Sequence, residues 1–231
     1  MRKITGLRIG AYFIDIFIVS IIVSLFASIS YLNPNAGQAK EYEDMMEEKA
    51  KEVLKQNPVD LEAFYDEIVE YTYKIDYCEV YGSVIELVVL FLYFGLFQFF
   101  NNGQTIGKRL LNIQVVSEDK QRLRFSQTII RSAFLNSILL LSLSIIAILY
   151  LTKRPYVTVS LIINILDFTI VVCCAIMMLR SKDNRGLHDR LAGTRVIASD
   201  ELELFLKGGE IREANVSEKK TRRRKNEDRN S

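Results

Sequence analysis

The chain has 231 residues, of which 49% are hydrophobic and 25% are charged, and its formal net charge is only +2. The charged residues are concentrated in a few stretches that alternate with long apolar runs. This distribution excludes a soluble domain with mixed patterning and indicates a membrane protein. The three cysteines fit no disulfide framework or zinc-ligand spacing, and His188 is the only histidine, so we expect no metal site.

Four apolar segments predict transmembrane helices, because a helix of about 20 apolar residues crosses the hydrocarbon core of a bilayer. The first segment is long for the apolar part of a signal peptide and contains an aspartate, so we interpret it as a span rather than a cleaved leader. Residues 153–155 predict a tight loop between the last two segments. The four predicted spans cover about residues 10–32, 83–100, 129–151 and 157–179.

The distribution of lysine and arginine predicts how the chain crosses the membrane, because cytoplasmic segments carry an excess of basic residues. Such an excess occurs before the first span, in the loop 101–128 and in the tail, whereas the loop 33–82 is rich in acidic residues. Lys153 and Arg154 oppose this pattern but are outnumbered. We therefore predict a multi-pass protein of the cell membrane with both termini in the cytoplasm and the acidic loop outside.

The acidic loop is predicted to form a helical hairpin. Apolar residues recur at helical spacing in residues 41–55, and residues 59–77 also have a helical pattern. Asn57 and Pro58 predict a break between the two helices. We expect the hairpin to rest on the outer membrane surface, where its acidity either attracts cations or only keeps the loop soluble.

A small β-element is predicted on the cytoplasmic side. Residues 111–116 and 122–126 alternate between apolar and polar side chains on either side of a turn at 118–121, which predicts a β-hairpin. Residues 193–198 are a candidate third strand. The fold class is therefore an all-α membrane protein with four transmembrane helices, an extracytoplasmic helical insert and this β-element.

The chain divides into a transmembrane domain, residues 1–199, and a basic tail, residues 200–231, which we expect to be disordered. The basic end of the tail is suited to contact anionic lipid. It lacks aromatic residues that would stack on bases, so we expect no nucleic-acid partner.

An arginine and an aspartate in the first span are the strongest functional candidates. Arg8 and Asp15 are seven positions apart, so two helical turns place them on one face. A carboxylate inside a span costs about 2.5–3.5 kcal/mol on insertion scales, so such residues are rare and usually paired. Asp15 either binds a cation or a proton, or forms a structural ion pair with Arg8 or Arg131.

Other polar residues lie within the predicted spans. Glu86 is near the outer end of the second span and is a candidate ion ligand. Asn164 and Asp167 share a face of the fourth span and, with Asn136 on the third, predict a polar seam. Interhelical hydrogen bonding is the alternative role for these side chains.

Two polar motifs flank the spans on the cytoplasmic side. The stretch 103–108 lacks the spacing of a phosphate-binding loop, and we interpret it as a glycine turn that carries Lys108 and Arg109 at the headgroup level. His188 and Asp189 are either a proton relay at the inner mouth or a hydrogen-bonded cap.

Three sequence blocks in this order resemble the RDD family of small membrane proteins, which is named for one arginine and two aspartates. They are Arg8-x-x-Ala-x-x-x-Asp15, Gly103-Gln-Thr-x-Gly-Lys-Arg-Leu-Leu and Gly186-Leu-His-Asp-Arg-Leu-Ala-Gly-Thr. The resemblance implies that Arg8 is the arginine, Asp15 the first aspartate and Asp189 the second, with Asp167 as a competitor for the second. It also implies membrane transport, since cation/proton exchange has been proposed for some members.

Two functions follow from these observations. The first is a transporter, working as a homodimer, that exchanges monovalent cations for protons and loads the ion on Asp15, with Glu86 and Asp167 as further ligands. The alternative is a non-catalytic membrane scaffold or accessory subunit that binds a protein partner. In both, we expect Arg8, Asp15 and Asp189 to form one charge-paired network near the inner face. No nucleophile with a base and an orienting partner is recognisable, so we expect neither an enzyme nor a cofactor.

Overall fold

The computed structural model describes residues 4–55, 60–119, 122–181, 183 and 185–207. The predicted helix break at Asn57 and Pro58, and most of the predicted disordered tail, lie outside these ranges.

Most of the described chain is helical, and a small two-stranded sheet joins two of its loops. The helices are α1 (Thr5–Ala27), α2 (Ala36–Leu54), α3 (Leu61–Cys78), α4 (Val80–Phe100), α5 (Ile106–Leu110), α6 (Phe125–Leu135), α7 (Ile138–Tyr150), α8 (Lys153–Arg180) and α9 (Leu187–Leu191). The strands are β1 (Ile113–Ser117) and β2 (Thr194–Ala198). Within α4, residues Phe91–Phe97 are π-helical.

Among the described residues, α1, α4 and α8 are each long and apolar enough to cross a membrane. Many of their large apolar side chains are exposed, for example Phe13, Phe17 and Phe168. A contiguous apolar surface of this kind is suited to contact lipid rather than water. The protein is therefore mostly helical, with several helices that could span a bilayer.

The third predicted span, residues 129–151, is not one continuous helix. α6 ends at Leu135, α7 begins at Ile138, and the two helices are bent by 66°. Ser137 between them has a φ of 56°, in the left-handed region that non-glycine residues seldom adopt. The apolar pattern continues through this bend, so sequence periodicity could not reveal it. The bent pair counts as a fourth candidate span when it is taken as one unit.

The predicted loop at residues 153–155 is wrong, because these residues form the first turn of α8. Proline is tolerated there, since the first turn of a helix contains N–H groups that have no intrahelical partner. The connection between α7 and α8 is correspondingly shorter than the sequence suggests.

Helices α2 and α3 pack against each other, and α3 also contacts the start of α8. Lys153 forms an ion pair with Glu70, and Arg154 forms one with Asp66 at 2.6 Å. The two basic residues that oppose the predicted orientation are thus counter-ions of the acidic segment. Their position on the same side as that segment has a local electrostatic reason.

The predicted β-hairpin is wrong in one of its strands. β1 pairs antiparallel with β2, so that Ile113 lies opposite Ala198 and Ser117 lies opposite Thr194. Residues 122–124 are not in a strand, and α6 begins at Phe125. The candidate third strand is the true partner of β1, and its apolar residues Val196, Ile197 and Ala198 are buried. Residues 122–126 lead into a helix instead.

The sheet packs on the beginning of α1. Ile113, Val115 and Val196 are buried together with Ile4 and Ala11. This small core brings the loop between α4 and α6, and the segment after α8, to the end of α1 that carries Arg8. Residues far apart in sequence thereby meet around one helix.

Candidate functional site

The first polar cluster surrounds the carboxylate of Asp189 on α9, which is fully buried. Nη2 of Arg8 donates a hydrogen bond of 2.5 Å to it, and Arg131 on α6 forms a second ion pair. The backbone N–H of Gly186 also donates to it, at 3.0 Å. One carboxylate therefore joins α1, α6 and α9, and we call this group the Asp189 cluster.

A second cluster surrounds Asp15, which is also fully buried. The Tyr93 hydroxyl and the backbone N–H of Gly107 each donate to Oδ1 at 2.7 Å. The Thr105 hydroxyl donates to Oδ2 at 2.5 Å, and Nζ of Lys108 lies 3.9 Å from the same oxygen. A carboxylate offers about four lone-pair sites, and three of them accept hydrogen bonds here, while Lys108 supplies the counter-charge. We call this group the Asp15 cluster.

Gly107 is required for this arrangement because α5 lies directly against α1. A Cβ atom at this position would lie 2.4 Å from the carbonyl oxygen of Ala11 and 2.8 Å from Oδ1 of Asp15. Glycine alone lets the backbone N–H reach the carboxylate. Gly107, in the second of the three sequence blocks, thus binds the carboxylate of Asp15.

The predicted single network is two clusters. Arg8 contacts Asp189 directly, while the ion-pair partner that the structure gives Asp15 is Lys108 rather than Arg8 or Arg131. Arg8 and Asp15 lie close together along α1, but Arg8 contacts α9 whereas Asp15 contacts α5. Lys108 is the electrostatic link, since its charge interacts with Asp15, Arg8 and Arg131.

Lys108 is buried inside the protein, because only 7% of the residue is exposed. Its Nζ donates to Oε1 of Gln98 and to the hydroxyl of Thr105, both at 3.2 Å. Burial lowers the pKa of Lys108 to about 7, and neighbouring Arg131 adds to this effect while Asp15 opposes it. A proton on this amine is therefore labile near neutral pH.

His188 is buried beside the Asp189 cluster. Its Nε2 lies 3.3 Å from Nη2 of Arg8, and because arginine is only a donor, Nε2 accepts. Burial lowers the pKa of His188 well below its usual range, with Arg131 and Arg8 as further causes. The imidazole is thus neutral at pH 7, which does not favour the proton-relay interpretation.

A cavity of about 330 Å³, the central cavity, lies at the bend between α6 and α7. Asp167 accepts a hydrogen bond from Ser137, and the buried Oδ1 of Asn136 has no hydrogen-bond partner within the described residues. The described ranges contain no group of three or more His, Cys, Asp or Glu that could hold a metal, so any cation here would have mixed oxygen ligands. The oxygen-bearing side chains that line the cavity are Tyr12, Glu86, Asn136, Ser137, Ser144, Asn164 and Asp167.

A smaller polar cavity of about 170 Å³, the acidic vestibule, adjoins the central cavity and shares Ser144 and Asn164 with it. Asp76 and Glu79 supply its charge, and the Tyr156 hydroxyl donates to Asp76 at 2.7 Å. Burial raises the pKa of Asp76. Burial and then the like charge of Asp76 raise the pKa of Glu79. Acidic and amide groups therefore follow one another from α3 to the middle of α8.

The family model described as RDD family matches residues 5–193. The chain belongs to the RDD family. The resemblance seen in the three sequence blocks is thereby confirmed, and RDD proteins are membrane proteins. No curated protein and no solved structure matches the chain.

The matched RDD segment contains both clusters and the central cavity. The geometry favours Asp189 over Asp167 as the second aspartate, because Asp189 pairs with Arg8 whereas Asp167 lines the central cavity. The other predicted residue, Glu86, lies across that cavity on α4. The predicted polar residues thus separate into two groups with different surroundings.

Several residues of the RDD site were not predicted from the sequence. Tyr93 and Gln98 lie in the apolar run of the second predicted span, where no motif distinguishes them. Thr105 and Gly107 belong to the second sequence block, and its pattern was the only signal that they act together. The acidic vestibule was not predicted as a cavity, because the sequence left open whether the acidic loop that contains Asp76 and Glu79 attracts cations or only keeps the loop soluble.

Proposed function

We propose that this RDD protein exchanges small monovalent cations for protons across the cell membrane, with Glu86 and Asp167 as the residues that load the ion. The observation that carries the proposal is the central cavity, which places two carboxylates between apolar helices, beside an amide oxygen of Asn136 that has no hydrogen-bond partner among the described residues. Intramembrane carboxylates of this kind are typical of ion pathways and proton relays.

We further propose a four-span topology with both termini in the cytoplasm, in which this cavity lies on a route across the membrane. Arg8 near the start of α1, the end of α4, the start of α6 and the end of α8 gather at the Asp189 cluster and the sheet. The end of α7 and the start of α8 gather at the α2–α3 hairpin. On the positive-inside rule the basic end is cytoplasmic and the acidic hairpin is outside.

The acidic vestibule is suited to collect cations from the outer side. Asp76 and Glu79 supply negative charge, and Ser144 and Asn164 continue the polar lining into the central cavity. Carboxylate, amide and hydroxyl oxygens are hard ligands that suit hydrated metal cations. A desolvated carboxylate also binds protons more readily, so cation and proton would compete for the same oxygens.

Asp15 is better suited to a structural role than to carrying the ion. Tyr93, Thr105 and Gly107 donate to its carboxylate, and Lys108 balances its charge. A cation would have to displace these donors. The transport role that the sequence assigned to Asp15 therefore moves to Glu86 and Asp167.

The proposal is tested with purified full-length protein in proteoliposomes that contain a pH-sensitive dye. Addition of Na⁺, K⁺ or Li⁺ outside should release protons from the lumen, and Glu86→Gln and Asp167→Asn should each abolish this release. Glu48→Gln is the matched control, since Glu48 is exposed on α2 and lines neither cavity.

The wild-type result decides the function, and the variants decide the site. If folded wild-type protein moves no protons with any of the three cations, exchange is wrong and the scaffold alternative gains weight. If the wild type exchanges but both cavity variants do so at the wild-type rate, the central cavity is not the loading site.

A further inference from the structure

A third cavity, the cationic cavity, lies between α1, α6 and α8 beside the Asp189 cluster and has a volume of about 250 Å³. Its polar end is formed by Arg8, Lys108, Arg131 and His188. The remainder is lined mainly by apolar side chains of the three helices. They include Phe13 on α1, Phe134 and Leu135 on α6, and Val171, Ala175 and Leu179 on α8.

The polar end has more cationic groups than acidic ones. Arg8 and Arg131 share the single carboxylate of Asp189. Lys108 is 3.9 Å from Asp15, whose oxygens are already occupied by other donors. An anion placed in the cavity would therefore add a further, negatively charged acceptor for the two guanidinium groups and the amine.

The pKa of Lys108 is affected by these neighbouring charges as well as by burial. Its pKa is lowered to about 7 by burial and by Arg131 and Arg8, with Asp15 as the opposing group. His188 also faces these cations and is neutral. A bound anion would favour the protonated amine, so an anionic ligand is stabilised by the groups that the cavity already presents.

The other end of the cavity is open to the apolar surface of the protein. Phe13 is 69% exposed and Leu179 is 58% exposed, and both belong to helices that could span the bilayer. An apolar rim at membrane depth admits a molecule from the hydrocarbon layer more readily than a soluble solute. The ligand must then be anionic at one end and apolar at the other.

We propose that the cationic cavity binds an anionic glycerophospholipid, with its phosphate at the polar end and the upper part of an acyl chain along the apolar walls. The topology proposed above puts the cationic cavity at the cytoplasmic end of the helices, so we place this lipid in the inner leaflet. The binding itself does not depend on ion exchange. The lipid would lie against α1, α6 and α8 and hold them together.

The test measures lipid binding to full-length protein in detergent micelles by native mass spectrometry, with phosphatidylglycerol and phosphatidylcholine of identical acyl chains. Both lipids carry the phosphate, but phosphatidylcholine would also place a quaternary ammonium beside the cationic groups, so we expect phosphatidylglycerol to bind about tenfold more tightly. Lys108→Gln should remove most of this preference. Ala175→Trp should fill the cavity and abolish the tightly bound lipid, since Ala175 is an exposed wall residue.

Val172→Trp is the matched control, because Val172 is exposed on the same helix but does not line the cavity. It should bind phosphatidylglycerol as the wild type does. Equal affinity for the two lipids, or unchanged binding by folded Ala175→Trp protein, would overturn the proposal. Equally tight binding of soluble glycerol phosphate would also overturn it, because a lipid site requires the acyl chain.

Discussion

At the scale of single residues, burial and hydrogen-bond saturation distinguish a carboxylate that holds the fold from one that can exchange its ligand. Asp15 and Asp189 are fully buried and surrounded by donors. Asp167 is half-buried beside open space, and Glu86 lines the same space. All four looked alike in the sequence, since each is an acidic residue in or beside an apolar segment.

Asp15→Asn should lower stability without removing exchange. The substitution keeps the side-chain shape but replaces one acceptor oxygen with an NH₂ group that faces the donors of the cluster, and an unsatisfied buried polar group costs about 1–3 kcal/mol. We expect a lower melting temperature in detergent, while the folded fraction still exchanges cations for protons in proteoliposomes.

Asp167→Asn gives the opposite pattern and serves as the comparison for Asp15→Asn. Its carboxylate accepts from Ser137 but has no ion-pair partner among the described residues, so stability should change little. Loss of exchange in folded Asp15→Asn protein, with exchange intact in Asp167→Asn, would show that the two roles are reversed.

At the scale of elements, apolar length was enough to locate the helices but not their bends or partners. Residues 111–116 were recognised as a strand, and β1 occupies Ile113–Ser117. The partner was assigned to 122–126 because that segment is near in sequence and alternates. The true partner is 193–198, and a pairing across so long a separation leaves no periodic signal.

Side-chain hydrogen bonds decide how α6 begins. Oε1 of Gln127 accepts from the backbone N–H of Arg124 at 3.0 Å. Its Nε2 donates to the Ser117 hydroxyl at 2.9 Å and to the Gly193 carbonyl at 3.2 Å. The amide of Gln127 thus fixes the start of α6 against β1 and against Gly193, which precedes β2. Residues 122–124 therefore lead into the helix and do not extend the sheet.

Gln127→Leu should therefore loosen the sheet and the start of α6 together. The change removes three hydrogen bonds and leaves part-buried partners without them, so we expect a loss of about 2 kcal/mol. Thermal unfolding in detergent measures the loss, and Gln38→Leu, at an exposed position of α2, is the control. Equal melting temperatures for the two variants would contradict this role of Gln127.

At the scale of the whole molecule, the charges are ordered along the proposed membrane axis. The acidic vestibule lies beside the α2–α3 hairpin, the central cavity follows, and the cationic groups of Arg8, Lys108 and Arg131 lie at the other end. Tyr12 lines both the central and the cationic cavity, so it separates the two. The distribution of charged residues along the sequence predicted the acidic end and the basic end of the molecule. The clustering of Arg8 with Asp189 was suggested only by the family resemblance, since 181 positions separate them.

The acidic vestibule makes the rate of exchange depend on pH in a defined direction. Glu79 has a raised pKa because of burial, then Asp76, then Glu43, while the Tyr156 hydroxyl partly opposes the rise at Asp76. A raised pKa means that these carboxyls gain protons at a higher pH than ordinary ones. Cation uptake should therefore fall as the external pH drops through the raised values.

Asp76→Asn should move this fall to lower pH, because it removes a like charge from Glu79 and brings the pKa of Glu79 closer to its ordinary value. The measurement is the initial exchange rate in proteoliposomes over a series of external pH values at a constant pH difference, normalised to each variant's maximum. Glu48→Gln should leave the profile unchanged. An unmoved profile in Asp76→Asn would show that the pH dependence does not arise in the vestibule.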